Sequence, residues 1–449
     1  MESNDLTLFD KFNNWLRNSI TIRILSIGFM ILILLIPTFM VQDLINEREY
    51  RGNSVKQEVT STWGGIQILS GPIISIPYRR NYLNEKKEVY SQIEYAHFLP
   101  ETLDIKGEVI PEKRHRRIYD VVVYTSDLQF SGNFKSFDFK DWKIEDADIL
   151  WDKAIVSFGI PDMRGIKDNI VLKWNNQEYP FNPGIETNDV IASGISAVVD
   201  LTALKNVELK AFNFQIVLRG SEELYFTPLG KVTQVQLRSK WGDPSFKGAF
   251  LPDNHNITDS TFVANWKVLH LNRNFPQKWT GNSYKVEESS FGLELLIPVD
   301  HYQKSNRSAK YAIMIIAFTF LVFFFVEVLN KTRIHPIQYL LVGLALIIFY
   351  TLLLSISEHL SFNPAYIVSA IATVLLITFY SKSIFGSNLL TAFTALVLTV
   401  LYAFIFVILQ LEDYALLMGS IGLFIVMAII MYLSRKIDWY NFRKPKEGK

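Results

Sequence analysis

The sequence of residues 311–330, YAIMIIAFTFLVFFFVEVLN, is almost wholly apolar and long enough to cross a bilayer as one helix. Four more apolar runs of similar length follow it: Gln338–Ser357, Ala365–Ser381, Asn388–Leu409 and Tyr414–Leu433. Lipid offers no hydrogen bonds to the backbone, and the runs lack the alternation of barrel strands, so they are predicted to be helices. Residues 311–433 therefore predict a five-helix transmembrane bundle.

The charges in the short breaks between these runs indicate which side of the membrane each break faces. Lys and Arg occur in the first and third breaks and in the tail, whereas the second and fourth breaks carry only Glu or Asp. This alternation predicts that the first and third breaks and the C-terminus are cytoplasmic. Lys304, Arg307 and Lys310 disagree, but charges that border a long translocated domain carry less weight.

A sixth apolar run, residues 22–41, lies near the N-terminus. We interpret it as an uncleaved anchor helix rather than a signal peptide, because it is long and IPTFMVQD offers no small-residue cleavage site. Residues 1–21 are then a cytoplasmic segment. Residues 42–65 are predicted to form a stalk helix that ends at Gly64 and Gly65.

Residues 66–310 have a different character, with short β-branched and aromatic runs between clusters of Gly, Pro, Asn and Asp. In FNFQIVLRG, for example, apolar and polar residues alternate. DLQFSGNFKSF predicts a hairpin around Ser131–Asn133, and YPFNPGIETND is the best candidate for an internal boundary. The expected fold is a polytopic α-helical membrane protein with six transmembrane helices, arranged 1+5. A large mainly-β periplasmic domain lies between helices one and two, and residues 434–449 form a cytoplasmic tail.

The composition excludes several kinds of chemistry. The 449 residues include no cysteine, which rules out disulfides, thiolate metal sites and a Cys nucleophile. No phosphate-binding loop, GxGxxG, HExxH or GxSxG motif is present, and the seven histidines are scattered. We therefore expect no catalytic residue, no metal site and no cofactor.

Three polar features stand out, and each has two interpretations. Glu327, a carboxylate inside an apolar run, is expected to form an interfacial ion pair with Lys331; the alternative is a role in handling protons or ions. EKRHRR (Glu112–Arg117) is interpreted as a solvated loop, or else as a surface for anionic headgroups or polymers. DMRGI (Asp162–Ile166) is expected to fix its own loop through an Arg–Asp pair, with ligand binding as the alternative.

Several stretches resemble the CreD family of inner-membrane proteins of Gram-negative bacteria. They are SGPIISIP, HFLPE, DMRGI, SKWGDPSFKGAFLP, PVDHYQKSNRSAKYAI, HPIQYLLVGLALIIFYTLLLSISEH and IDWY, in family order along nearly the whole chain. The resemblance implies an anchor helix, a periplasmic domain, five further helices and a link to cell-envelope integrity and stress response. It supplies no catalytic residues.

The most distinctive polar residues of these stretches lie at predicted helix ends. Together with Glu327, the candidates are Asp300, His301, Tyr302, Arg307, Lys310, His335, Pro336, Glu358 and His359. We expect a non-catalytic envelope-integrity protein of the inner membrane, with both termini cytoplasmic. Its expected partners are the lipid bilayer and an unknown envelope protein or polymer, and not nucleic acid. The alternatives are a transporter or permease component and, less favoured, a membrane-bound envelope hydrolase.

Overall fold

The computed structural model describes residues 20–83, 85–86, 88–116, 118–175, 177–203, 209–295, 301–330, 332, 334–411 and 414–435. The chain divides into two compact units. Met1–Gly52 and Val299–Lys449 form a helical unit, and Asn53–Pro298 forms a β-sheet unit.

The described residues form one long N-terminal helix and six further helices. Their bounds are α1 Ile20–Trp63, α2 His301–Lys310, α3 Ala312–Leu329, α4 Pro336–Ser357, α5 Phe362–Phe385, α6 Asn388–Gln410 and α7 Ala415–Ser434. Six of them, all except α2, are long and apolar enough to cross a membrane. The predicted arrangement of one such helix near the N-terminus and five near the C-terminus is confirmed.

Helices α1, α3 and α4 pack closely at the centre of the helical unit. A Cβ atom added to Gly343 of α4 would lie 2.2 Å from Leu34 Cδ1 of α1 and 3.0 Å from Phe320 Cζ of α3. Any larger residue at this position would require the Leu34 side chain to shift, so glycine permits the close approach. In contrast, Gly422 is the one buried residue of α7, whereas eleven residues of α3 are buried. Helix α7 is therefore peripheral.

The β-sheet unit contains these strands: β1 Gln67–Leu83, β2 Val89–Phe98, β3 Thr102–Arg116, β4 Tyr119–Lys135, β5 Ala154–Gly159, β6 Val171–Trp174, β7 Gln177–Pro180, β8 Asn182–Pro183, β9 Gly194–Val199, β10 Leu209–Ser221, β11 Glu223–Phe226, β12 Val232–Ser239, β13 Pro244–Gly248, β14 Asn254–Ile257, β15 Phe262–Leu269, β16 Lys278–Thr280 and β17 Phe291–Leu295. The expectation of a mainly-β region between the first helix and the other five is confirmed.

The strands form two mixed, mostly antiparallel sheets. One has the order β13-β17-β11-β1-β5-β9-β8, with β2 beside β1 and β16 beside β2; the other has the order β14-β15-β12-β3-β4-β10-β6-β7. Only β1–β11 and β12–β3 are parallel among the pairs of the described strands. Strand β10 alternates buried and exposed residues over most of its length, because one face covers the core and the other faces solvent.

Aromatic rings from both sheets share one core. Phe130 of β4 and Phe214 of β10 stack with ring centroids 4.9 Å apart, and Phe158 of the other sheet meets both edge-on. This core is one cluster that includes Phe134, Trp174 and Trp266, so the unit folds as a sandwich around a single interior.

The predicted hairpin around Ser131–Asn133 is wrong, because β4 runs straight through these residues. Gly132 is paired with Phe212 and Leu103, and an added Cβ there would lie 2.0 Å from the Thr102 carbonyl oxygen. The glycine thus permits a close backbone approach inside a strand rather than a turn. The proposed internal boundary at YPFNPGIETND divides nothing either, since it falls within one compact unit.

Candidate functional site

Helix α2 contacts α1 and the ends of three other helices within the helical unit. The Tyr302 hydroxyl donates to Glu358 at the end of α4 (3.4 Å), and the Asn306 amide donates to Asn46 of α1 (3.0 Å). Arg307 donates to the Leu411 carbonyl, just after α6 (3.5 Å), and Lys304 Nζ lies 5.9 Å from the Phe362 ring centroid at the start of α5. Each of these polar side chains contacts a different helix. We call this short helix the hub helix.

Glu358 is the acceptor at which three segments meet. Its side chain is 11% exposed and lies 3.8 Å from Arg48 Nε of α1, in addition to its contact with Tyr302. His301 packs its ring against Tyr302 at 4.1 Å. Four polar residues from α1, the hub helix and the end of α4 therefore form a cluster at one end of the bundle.

Glu327 anchors a second cluster. Its carboxylate accepts from Arg23 Nη1 of α1 at 2.6 Å and from the Tyr339 hydroxyl of α4 at 3.0 Å. The ion-pair interpretation holds, but the observed partner is Arg23; Lys331 lies outside the described residues. Glu327 of α3 thus forms hydrogen bonds to α1 and α4, and not an ion pair within its own helix.

The remaining candidates have local roles or none that the structure shows. His335 caps α4, since its Nδ1 accepts from the Ile337 amide at 3.3 Å, and Pro336 occupies the first turn. His359 contributes a backbone hydrogen bond to Ile356, and Lys310 is exposed at the end of the hub helix. Asp300 lies outside the described residues.

The candidates therefore form two groups rather than one site. Tyr339 and Glu358 are 19 residues apart on the same helix, which corresponds to about 28 Å at 1.5 Å per residue. That separation is close to the thickness of a bilayer core. The two polar clusters thus pin the helices at opposite ends of their apolar spans.

The β-sheet unit contains a polar group that inspection of the sequence missed. Ser75 Oγ lies 2.9 Å from His97 Nδ1, and His97 Nε2 lies 3.2 Å from Asp189 Oδ2. His97 is 0% exposed and packs against the Trp279 ring, and its burial lowers its pKa although Asp189 acts in the opposite direction. The register that pairs Ser75 with His97 across β1 and β2 was the only available signal, and it requires knowing the strands.

This Ser–His–Asp group faces a cavity that is too small for a substrate. The cavity holds about 10 Å³ and is lined by residues that include Ser157 and Thr187. Ser157 Oγ is buried and has no hydrogen-bond partner among the described residues. Such a volume accepts about one water molecule, whereas ligand pockets measure roughly 300–1,000 Å³.

Glu112–Arg116 of the EKRHRR cluster are exposed as expected, but they form the end of strand β3 and not a loop; Arg117 lies outside the described residues. Arg114 lies over the Trp63 ring of α1 at 4.5 Å, with Arg219 at 4.3 Å from the same ring centroid, and Arg116 pairs with Glu58 at 2.6 Å. The basic residues therefore contact the C-terminal part of α1.

The DMRGI loop holds the residues at the end of α1. Asp162 accepts two bonds of 2.8 Å from the Arg164 guanidinium and one of 2.8 Å from the Gly65 amide, and Arg164 also donates to the Ser61 carbonyl. The hydrogen bonds from Arg164 hold the pKa of Asp162 below its usual value. The loop-fixing interpretation of this motif agrees with these contacts.

A hairpin of β1 and β2 extends beyond the sandwich core with a tyrosine-rich face. Tyr78 and Arg80 donate to Glu94 Oε2 at 2.6 and 3.3 Å, and Tyr82 donates to the other carboxylate oxygen. Burial and the bond to Glu94 raise the pKa of Tyr78 to about 12. Burial acts to raise the pKa of Glu94, but these hydrogen bonds outweigh it and the pKa is lowered.

The described residues contain no group of three or more His, Asp or Glu residues that could hold a metal ion. The polar clusters in the described part of the chain, including the closed Ser–His–Asp group, connect helices or strands to one another. None of them opens into a substrate pocket.

Comparison with known proteins agrees with this architecture. The family model for "Inner membrane protein CreD" matches residues 19–440. The inner membrane protein CreD of Escherichia coli (strain K12) is 32% identical over 429 residues, which is 94% of this chain and 94% of that protein. With six candidate spans and a β-sheet unit between the first and the second, the chain belongs to the CreD family of multi-pass inner membrane proteins.

Proposed function

We propose that this protein maintains cell-envelope integrity without catalysis, by binding an envelope protein through its β-sheet unit while the helical unit anchors it. The observation that carries the proposal is the hairpin of β1 and β2, which has unpaired strand edges on both sides. Arg79–Leu83 and Val89–Ile93 pair with each other, yet the outer edge of neither segment has a strand neighbour among the described residues.

The composition of this hairpin suits a protein partner. Leu83 and Val89 form a cross-strand pair and are 69% and 68% exposed, and Ile93 on the same face is 54% exposed. On the opposite face, Tyr82 and Tyr90 stack at 5.7 Å. Open strand edges recruit an extra strand, and exposed apolar and tyrosine side chains beside them supply specificity.

A hydrolase is the second candidate, because Ser75, His97 and Asp189 converge. Against it, the histidine is fully buried and the adjoining cavity of about 10 Å³ admits no acyl or glycosyl substrate. We expect a fluorophosphonate probe to leave Ser75 of the folded protein unmodified. Labelling that is lost in Ser75→Ala would instead support a hydrolase.

A photo-crosslinking experiment tests the binding proposal. A photoreactive amino acid replaces Leu83 in the full chain, and a matched control carries it at Leu251, which is also 69% exposed. We expect a discrete protein adduct in cell membranes from position 83 and none from position 251. Equal yields at the two positions, or no adduct at either, would contradict the proposed surface.

We also propose that both termini are cytoplasmic and that the β-sheet unit is periplasmic, as the alternation of basic loops supports. The absence of cysteine from the chain makes the test free of background. Single cysteines at Asn182 and Lys382 are exposed to a membrane-impermeant thiol reagent in intact spheroplasts. Labelling at 182 alone is expected, and labelling at 382 alone would reverse the topology.

A further inference from the structure

Helices α5 and α6 enclose a groove inside the apolar span of the helical unit. Its volume is about 440 Å³, and Tyr366, Ala370 and Val374 of α5 and Tyr402, Ala403 and Phe406 of α6 line it. The volume lies within the usual range of about 300–1,000 Å³ for ligand pockets. The small residues Ala370 and Ala403 leave the gap between the two helices.

The groove has the depth of about one membrane leaflet. Its lining on α5 extends from Tyr366 to Leu375, nine residues or about 13 Å of helix, and begins one turn inside the start of α5 at Phe362. Half of a hydrocarbon core is about 15 Å. Only a hydrocarbon chain or another apolar segment is available at that depth.

The mouth of the groove is polar, and two basic residues of the hub helix lie beside it. Gln410 donates to Asn363 at 2.6 Å, a bond that joins α5 and α6 one turn above Phe406 and Tyr366. Lys304 of the hub helix lies over Phe362, and Arg307 contacts the carbonyl of Leu411. The hub helix contributes three basic and no acidic residues.

We propose that this groove is a binding site for one anionic phospholipid of the surrounding bilayer. One acyl chain occupies the space between α5 and α6, and the phosphate lies at Lys304 and Arg307. The acyl chain is selected by depth and by an almost wholly apolar lining, and the headgroup by its negative charge. This site goes beyond the proposed function, which concerns the β-sheet unit.

The preference of the groove for an anionic headgroup can be measured directly. Glu412 and Asp413 follow Leu411 in the sequence and lie outside the described residues. The net charge at the mouth therefore has to be obtained from a binding measurement and not from the charges of the described residues. The comparison of an anionic and a zwitterionic lipid with identical chains isolates that preference.

The experiment uses the full chain, purified in detergent and titrated with phosphatidylglycerol, while native mass spectrometry counts the retained lipids. We expect one tightly retained phosphatidylglycerol and at least tenfold weaker retention of phosphatidylcholine. Equal retention of the two lipids would overturn the headgroup assignment. Stronger retention of a polyprenyl monophosphate than of phosphatidylglycerol would overturn the assignment to a phospholipid.

Matched variants locate the site. Ala403→Phe fills the groove and is expected to weaken retention at least tenfold, whereas Ala392→Phe, at an exposed position of the same helix outside the lining, leaves retention unchanged. The milder Ala403→Leu gives a partial loss if Ala403→Phe misfolds. Loss of retention in Ala392→Phe as well, or in neither α6 variant, would refute the groove.

The headgroup contacts have their own control. Lys304→Gln and Arg307→Gln are each expected to weaken phosphatidylglycerol retention about fivefold, the factor that corresponds to one basic residue near an anionic lipid. Neither change should affect phosphatidylcholine. Lys382→Gln removes a charge near the opposite end of α5 and should have no effect. An equal loss in Lys382→Gln would show that the charge effect is not specific to the mouth.

Discussion

Replacement of Arg23 with methionine should destabilise the helical unit by about 3 kcal/mol, because it leaves the Glu327 carboxylate buried without its cation. Removal of one partner of a buried ion pair usually costs about 3–5 kcal/mol. The Glu327 side chain is only 5% exposed, but that of Arg23 is 22% exposed, and Tyr339 retains its hydrogen bond at 3.0 Å. These two facts place the cost at the lower end of that range.

The same reasoning predicts a rescue. Arg23→Met combined with Glu327→Leu should be more stable than Arg23→Met alone, because no unpaired charge is left in the apolar interior. Arg51→Met is the matched control. It breaks a pair with Glu47 of 2.7 Å on the same helix, but both side chains are more than half exposed, so its cost should stay under about 1 kcal/mol.

A single buried cysteine reports on the helical unit alone. Thr38→Cys places a thiol at a position that is 3% exposed in a chain with no other cysteine, so a thiol-reactive fluorophore responds only when this region opens. A loss of 3 kcal/mol corresponds to a melting point lower by about 6–12 °C for a unit of this size. The ion-pair account fails if Arg23→Met melts like Arg51→Met, or if the double variant melts at the temperature that simple addition predicts.

Three further predictions follow from close packing and from burial. Gly343→Leu should lower the melting point reported by the Thr38 thiol at least as much as Arg23→Met, since even a Cβ there would lie 2.2 Å from an α1 side chain; an unchanged melting point would refute the packing. Burial lowers the folded pKa of His97, so the unfolded chain takes up a proton there at a higher pH than the folded chain does. The contribution of neutral His97 to the stability of the β-sheet unit is therefore present above about pH 6.5 and is lost as the pH falls. Thermal unfolding followed by tryptophan fluorescence at pH 7.5 and 5.5 should show this dependence, and His97→Asn should reduce it; equal dependence in both proteins would refute it. Gly132→Val should destabilise the same unit, because Gly132 lies inside a strand. An exposed turn at this position would tolerate valine, so a loss of stability in urea unfolding supports the strand and an unchanged stability contradicts it.

The six spans could be predicted from the sequence because transfer into lipid depends on local composition, which a window of about 20 residues contains. The partner of Glu327 could not be predicted in this way. A lysine four residues away was the only local choice, whereas the actual partner is 304 residues distant. Such long-range contacts depend on how the helices pack, for example on the close approach at Gly343, and not on neighbours in the sequence.

The β-sheet unit shows the same limit. The alternation of FNFQIVLRG identified β10, but Gly132 resembled a turn, because one sequence signal serves both a turn and a close strand approach. The EKRHRR segment resembled a solvated loop because charge usually indicates solvent. Arg114 instead lies over the Trp63 ring and Arg116 pairs with Glu58, and both contacts exist only once the end of α1 is in place.

The distance along the chain between Arg23 and Glu327 also constrains how the protein is made. At a synthesis rate of about 5–20 residues per second, the 304 residues that separate them take about 15–60 s to produce. During that interval Arg23 has no carboxylate of α3 to pair with, because Glu327 has not yet been synthesised. The first helix must therefore be accommodated without its ion pair until α3 has been made.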